Sequence, residues 1–286
     1  MAFMELPGGQ VLAVEALGPE SGTPLVFWHG GGQTRGSWRT VASRFAARGF
    51  RCLLPDLRGH GESARARPGH YELDHFADDV TGLASRLDRP AIHVGASLGG
   101  TASALALGEE PAPEALALLL VDIAPRVSMV GVRRITRFMG AHRDGFADAE
   151  AAADAVEEFW PGRSRGRSAT RLLGNLRERP EGGLVWHWDP VFLTPVDEDG
   201  GHQHIDPERF ERALSRIRVP VGLVWGGRSD LVTEETVAHL QRSSPQVALI
   251  RIDSASHMVV GDDNAAFLAG MDRFLSSHGF LDEGAR

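Results

Sequence analysis

The chain of 286 residues contains no lysine; all 30 of its basic residues are arginine. That absence excludes Schiff-base chemistry, pyridoxal phosphate attachment and a phosphate-binding loop built on lysine. There is one cysteine, Cys52, set in an apolar run. A disulfide framework and a thiolate zinc site are therefore excluded, and Cys52 reads as a buried bystander. There is one tyrosine, Tyr71. No apolar run approaches the roughly 18 residues of a membrane span. Met1–Pro7 has neither a basic start nor an apolar core, so no secretory signal is expected and a cytoplasmic location is the default. No basic stripe stands out in a chain of net charge −8, which argues against nucleic acid as a partner. Arg163, Arg165 and Arg167 read as a solvated loop.

What is present is an alternation of short apolar runs with amphipathic stretches. Strands are predicted before Pro7, at 10–17, 24–28, 50–55, 91–94, 114–121, 219–225 and 247–252. Helices are predicted at 37–47, 71–87, 101–107, 207–217, 233–241 and 263–276. This rhythm implies a mostly parallel, doubly wound sheet of eight strands. Ligands bind such sheets beyond the carboxyl ends of the strands. The alternation breaks at 126–205, where helices are expected at 132–139, 147–159 and 169–176 and no convincing strand is found. The expected organisation is a core domain of residues 1–125 and 206–286 with an inserted helical cap, 126–205.

The strand at 91–94 runs into Gly95-Ala96-Ser97-Leu98-Gly99-Gly100. Small residues allow the sharp strand–turn–helix on which Ser97 projects clear of the sheet edge. A serine hydroxyl is a poor nucleophile without a base, and the base needs a partner to fix its tautomer. His257, just past the last strand, supplies the base. Two acids compete for the third place. Asp230 follows the 219–225 strand, and Asp122 ends the 114–121 strand just before the cap. The usual context favours Asp230, giving the order Ser97, Asp230, His257. The oxyanion hole is expected from the N–H of Leu98 and that of Gly31 in His29-Gly30-Gly31-Gly32, with Gly30 or Gly32 possible by a one-residue offset. His29 reads as an organiser of that loop. His202 and His204 read as solvated, with no metal and no cofactor required.

Taken with Asp56-Leu57-Arg58-Gly59-His60-Gly61-Glu62-Ser63, Gly226–Asp230 and Ser256-His257, these motifs resemble the α/β-hydrolase fold superfamily over nearly the whole length. The resemblance implies a capped serine hydrolase in which His60 is structural. Epoxide hydrolases and haloalkane dehalogenases carry aspartate where this chain has Ser97. Haloalkane dehalogenases also have tryptophan where it has Leu98. Epoxide opening relies on cap tyrosines, and Tyr71 lies before the cap. Cleavage of an ester, lactone or thioester through an acyl-enzyme on Ser97 is the expected reaction, of class EC 3.1.1. The alternatives are C–C bond hydrolysis of diketone-like ring-cleavage products, and cofactor-free haloperoxidase or perhydrolase activity, against which Leu98 counts mildly. A hydroxynitrile lyase is disfavoured by the missing lysine, and a non-catalytic ligand-binding protein by the intact triad. The expected substrate is an apolar or aromatic small molecule. Gly30, Trp160, Trp186, Trp188 and Met258 are its candidate contacts, although the cap aromatics serve equally well as packing.

Overall fold

Strand β3 (Pro24–Trp28) is buried at all five positions. Its side chains alternate between two cores, as a strand's period of two requires. Leu25 and Phe27 enter one cluster, Val26 and Trp28 the other. The same division runs through β5 (Ala91–Ala96) and β6 (Ala115–Val121), where Leu119 and Val121 point one way and Leu118 and Leu120 the other. Strands apolar on both sides must be covered on both sides. In this computed structural model, residues 1–159, 173–193, 206–257, 259 and 264–281 are described.

The remaining strands are β1 (Ala2–Glu5), β2 (Val11–Leu17), β4 (Arg51–Pro55), β7 (Leu176–Glu178), β8 (Leu184–Trp186), β9 (Val221–Gly226) and β10 (Ala248–Ile252). Eight of the ten form one sheet in the order β1-β2-β4-β3-β5-β6-β9-β10. β1 and β2 are antiparallel to their neighbours, and the other pairings are parallel. The strand order reverses at β3, with β4 on one side and β5 on the other. The loops after β3 and β5 therefore open a crevice at the sheet's carboxyl edge.

Helices α1 (Arg39–Ala46) and α8 (Asn264–Ser277) cover one face. The other face is covered by α2 (Leu73–Ala84), α3 (Leu98–Gly108), α6 (Pro207–Arg216) and α7 (Glu234–Ser243). Each fully buried Phe or Leu in these layers contributes roughly 1.5–3 kcal/mol. Asp206 and Thr233 cap α6 and α7 through the N–H groups of Glu208 and Thr236. Among the described residues no helix is long and apolar enough to cross a membrane.

Between β6 and α6 the chain forms α4 (Met129–Ala141) and α5 (Ala149–Phe159), and then departs from expectation. β7 and β8 form an antiparallel hairpin, and Leu176, placed at the end of a predicted helix, begins its first strand. Gly182 and Gly183 explain the difference. Both have positive φ, 97° and 85°, and they turn the chain back after three residues. Of that expected helix, 169–172 lie outside the described residues, and 174–175 form a turn. A bridge from His60 to Trp188 ties the end of this segment to the core. Asp189 adds a backbone bond of 2.7 Å to Gly59 and accepts the Tyr71 hydroxyl at 2.8 Å.

The turn that receives these contacts is itself built on buried charge. Asp56 accepts the N–H of Arg35 at 2.7 Å and that of Glu62 at 2.9 Å, and it pairs with the Arg35 guanidinium. Arg58 grips Asp79 with two bonds of 2.7 Å. Leaving either carboxylate unpaired would strand a charge in the core.

Among the described residues three histidines are fully buried. His29 Nε2 accepts the Leu57 N–H, His60 Nε2 accepts the Gly32 N–H, and His93 Nδ1 accepts the Trp28 indole N–H. Burial holds all three below the ordinary histidine range, His60 at about 3 and His93 at about 4. The unfolded chain takes up these protons near pH 6.5 and the folded chain does not. Their contribution to stability is therefore complete above that pH and is lost as pH falls through the window down to about 3. Asp79, which burial raises to about 6 against the pull of Arg58, opposes this with one proton against three. Melting temperature is expected to fall steadily from pH 6.5 to about 4, with a shallower slope in His93→Gln; a flat or rising profile contradicts the assignment. A second prediction concerns Gly99, where a Cβ would sit 2.6 Å from the His29 carbonyl oxygen and 2.7 Å from Trp28 Cβ. Gly99→Ala should cost about 1–3 kcal/mol in urea unfolding.

Candidate active site

The strand β5 delivers Ser97 at a turn that only a tightly packed backbone permits. Ser97 has φ 45° and ψ −115°. A Cβ on Gly95 would lie 2.5 Å from Gly100 Cα, so strand and helix touch backbone to backbone across the elbow. Among the described residues only one other non-glycine residue has positive φ: Asp122, at 49°. Non-glycine residues held in this region are strained, and such strain gathers at functional sites.

Asp122 is the neighbour of Ser97 on the adjacent strand. Ala96 pairs with Val121 in parallel register, so the residues that leave the two strands lie side by side. The Asp122 side chain is 1% exposed and accepts three hydrogen bonds. Gly226 N–H reaches Oδ1 at 2.9 Å; Ser229 Oγ–H reaches Oδ2 at 2.6 Å. The third donor is His257 Nδ1, at 2.7 Å from Oδ2. This bond puts the proton on Nδ1 and leaves Nε2 as the acceptor. Ser229 is in turn fixed by the N–H groups of Leu231 and Val232, each at 3.1 Å from its oxygen.

Asp230, the acid expected from the sequence, is elsewhere. Its carboxylate is 36% exposed and bonds to Arg134 on α4 at 3.0 Å. The loop after β9 turns inward one residue earlier, so Ser229 and not Asp230 faces the site. The next peptide anchors the cap: Ser128 N–H donates to the Leu231 carbonyl at 2.9 Å. The signal for Asp122 in the sequence was its place as the first residue after β6, the strand beside the elbow.

The loop after β3 has three glycine N–H groups, and two are spoken for. Gly30 N–H donates to Gln33 Oε1 at 3.0 Å, and Gly32 N–H to His60 Nε2 at 3.1 Å. Gly31 N–H has no acceptor among the described residues. Leu98 N–H opens α3 and has no acceptor within it. Two free donors thus lie on the two loops that flank the crevice. His29 closes the loop from behind, its Nδ1 2.8 Å from the Gly30 carbonyl. Gln33 and His60 were not among the expected site residues; both act on the loop's shape. The expected contact Gly30 also carries structure here, although a Cβ on it would approach Ser97 Cβ to 3.4 Å.

Above these groups lies a cavity of about 230 Å³, lined by Ser97 and His257 at one end and by cap side chains at the other. The cap contributes Phe138, Met139, Phe159, Trp186, Trp188 and Phe192, so the expected Trp186 and Trp188 do face it. They also pack on one another, with ring centroids 5.7 Å apart. Trp160 and Met258 lie outside the described residues, as do His202 and His204. Apart from His257 the described lining carries no ionisable side chain. Tyr71 is spent on Asp189 and does not line the cavity. The free chain has no hydrogen bond between Ser97 and His257 among the described residues.

Comparison with known proteins agrees with this architecture. An esterase of Mycobacterium tuberculosis is 30% identical over 269 residues, 91% of this chain and 85% of that protein. A non-heme chloroperoxidase of Burkholderia pyrrocinia is 36% identical over 111 residues, which is 38% of this chain and 40% of that one. The crystal structure of E-2-(acetamidomethylene)succinate hydrolase superposes with a TM-score of 0.82 at 22% identity, covering 96% of this chain and 98% of that one. Residues 23–263 match the family model described as the alpha/beta hydrolase fold. On this match, and on the sheet that carries the elbow, the chain belongs to the α/β-hydrolase family.

Proposed function

We propose that the protein is a serine hydrolase that cleaves carboxylic esters, or the related lactones and thioesters, whose apolar segment fills the cavity. The observation that carries this reading is the 2.7 Å bond from His257 to Asp122, at the end of a cavity that Ser97 also lines. Ser97 is the nucleophile, His257 the base and Asp122 the acid that orients it.

The steps follow from the geometry. His257 Nε2 takes the proton of Ser97 Oγ as the oxygen attacks the substrate carbonyl; that contact tightens when substrate fills the cavity. Asp122 stabilises the imidazolium and remains ionised. The negative oxygen of the tetrahedral intermediate sits between the N–H groups of Gly31 and Leu98. A site of this kind loses about 10²–10³ in rate when one donor is removed. His257 then gives its proton to the departing alcohol or thiol, and the acyl group stays on Ser97. Water, deprotonated by the same nitrogen, releases the acid and restores the serine. The apolar lining supports an uncharged segment within the cavity, because a carboxylate there would lose its water without gaining a described counter-charge. The esterase likeness supports the same reaction class.

A fluorophosphonate should label Ser97, and a short p-nitrophenyl ester should be turned over by the wild type and not by Ser97→Ala. Turnover that survives Ser97→Ala overturns the mechanism. Asp122→Asn should lower kcat by roughly 10³–10⁴, since an amide favours the wrong imidazole tautomer. Asp230→Asn should stay within about tenfold of the wild type, an effect on cap docking alone. The reverse order of the two effects would restore Asp230 as the acid.

A further inference from the structure

A second hollow lies on the outside of the cap, between α4 and α5. Arg133, Arg134 and Arg137 line it, together with Glu158 and the two rings Phe138 and Phe159. Those two rings also line the catalytic cavity. Their centroids are 4.5 Å apart, and both rings border both spaces. The Arg134 guanidinium lies 4.8 Å from the centroid of the Phe159 ring and bonds to Asp230. Its charge is accounted for.

Arg133 and Arg137 are different. Both are exposed and neither has an ion pair or hydrogen bond from its side chain among the described residues. They stand four residues apart on one helix face, where like charges repel. The helix Met129–Ala141 contains no acidic residue to relieve them. Glu158 is the one carboxylate on the hollow's lining. The chain as a whole carries −8, so a cationic hollow runs against its general charge. The described cavity lining, by contrast, has no arginine.

We infer that this hollow is the distal subsite of the enzyme and takes an anionic end of the substrate, a carboxylate or a phosphate. The proposal rests on the hydrolase reading above. The reacting carbonyl sits at Ser97, an apolar segment fills the cavity, and the anionic terminus emerges past Phe138 and Phe159 onto Arg133 and Arg137. The substrate class is then an amphiphilic ester or thioester, apolar through its middle and charged at the end remote from Ser97. The same arginines would draw the far end of the molecule out of a cavity that offers it no counter-ion.

Two matched pairs of substrates test this. Monomethyl suberate against methyl octanoate probes a carboxylate terminus. Methyl 8-(phosphonooxy)octanoate against methyl 8-hydroxyoctanoate probes a phosphate-bearing one. For each pair kcat/KM is measured in the wild type and in the double variant Arg133→Gln, Arg137→Gln, with circular dichroism to confirm folding. In one pair or both, the wild type should favour the anionic member, and the ratio should fall about tenfold in the variant. The ratio should also shrink on raising salt from about 0.05 to about 0.5 M. The pair that responds identifies the terminus. A wild-type ratio at or below one in both pairs, or a ratio unchanged in the variant, overturns the subsite while leaving the hydrolase reading intact. Absence of turnover on both neutral members overturns the hydrolase reading and the subsite with it.

Discussion

The carboxylate of Asp122 is the point on which the site depends. It is buried, and a buried carboxylate stays ionised only when donors surround it. Here the donors come from separate parts of the sheet edge: Gly226 at the end of β9, Ser229 in the loop beyond it, and His257 after β10. One anion therefore registers the ends of three strands against the elbow. The positive φ of Asp122 belongs to the same device, since it turns the side chain back toward the neighbouring loops instead of onward with the strand.

A second network serves the other side of the crevice. The turn that contains Asp56, Arg58 and His60 holds the oxyanion loop through His29 and His60, and it holds the cap through Gly59 and the His60–Trp188 bridge. The loop after β3 and the segment between β6 and α6 that lines the cavity are thus supported by one short stretch of backbone. His29 and His60 accept backbone N–H bonds only while neutral, which links the shape of the loop after β3 to the protonation of residues that do not line the cavity.

Most of the fold was legible because the inner strands run apolar through the sheet. β3, β5 and β9 also end in glycine-rich turns, and their ends carry loops of the site. The hairpin of β7 and β8 was not legible. Three-residue strands are too short to show a period, and Leu176 alone looks helical next to its neighbours. The elbow at Ser97 and the place of His257 past β10 followed from position relative to strands. The carboxylate that bonds His257 did not, because two aspartates each follow a strand and only the third dimension shows which one faces the imidazole. Ser229 decided the matter by turning inward, and nothing in Gly-Gly-Arg-Ser-Asp marks the serine over the aspartate beside it. The side chains Phe138 and Met139 escaped notice for a similar reason: a helix does not reveal in its sequence which face it turns to a cavity.

The account stands most directly on the partnership of His257 and Asp122. Proton NMR in water reads it without substrate. A buried imidazole Nδ1–H bonded to a carboxylate exchanges slowly and resonates far downfield. The account predicts such a signal in the wild type, its loss in His257→Gln and in Asp122→Asn, and its retention in Asp230→Asn. A signal that persists in Asp122→Asn and vanishes in Asp230→Asn would contradict it.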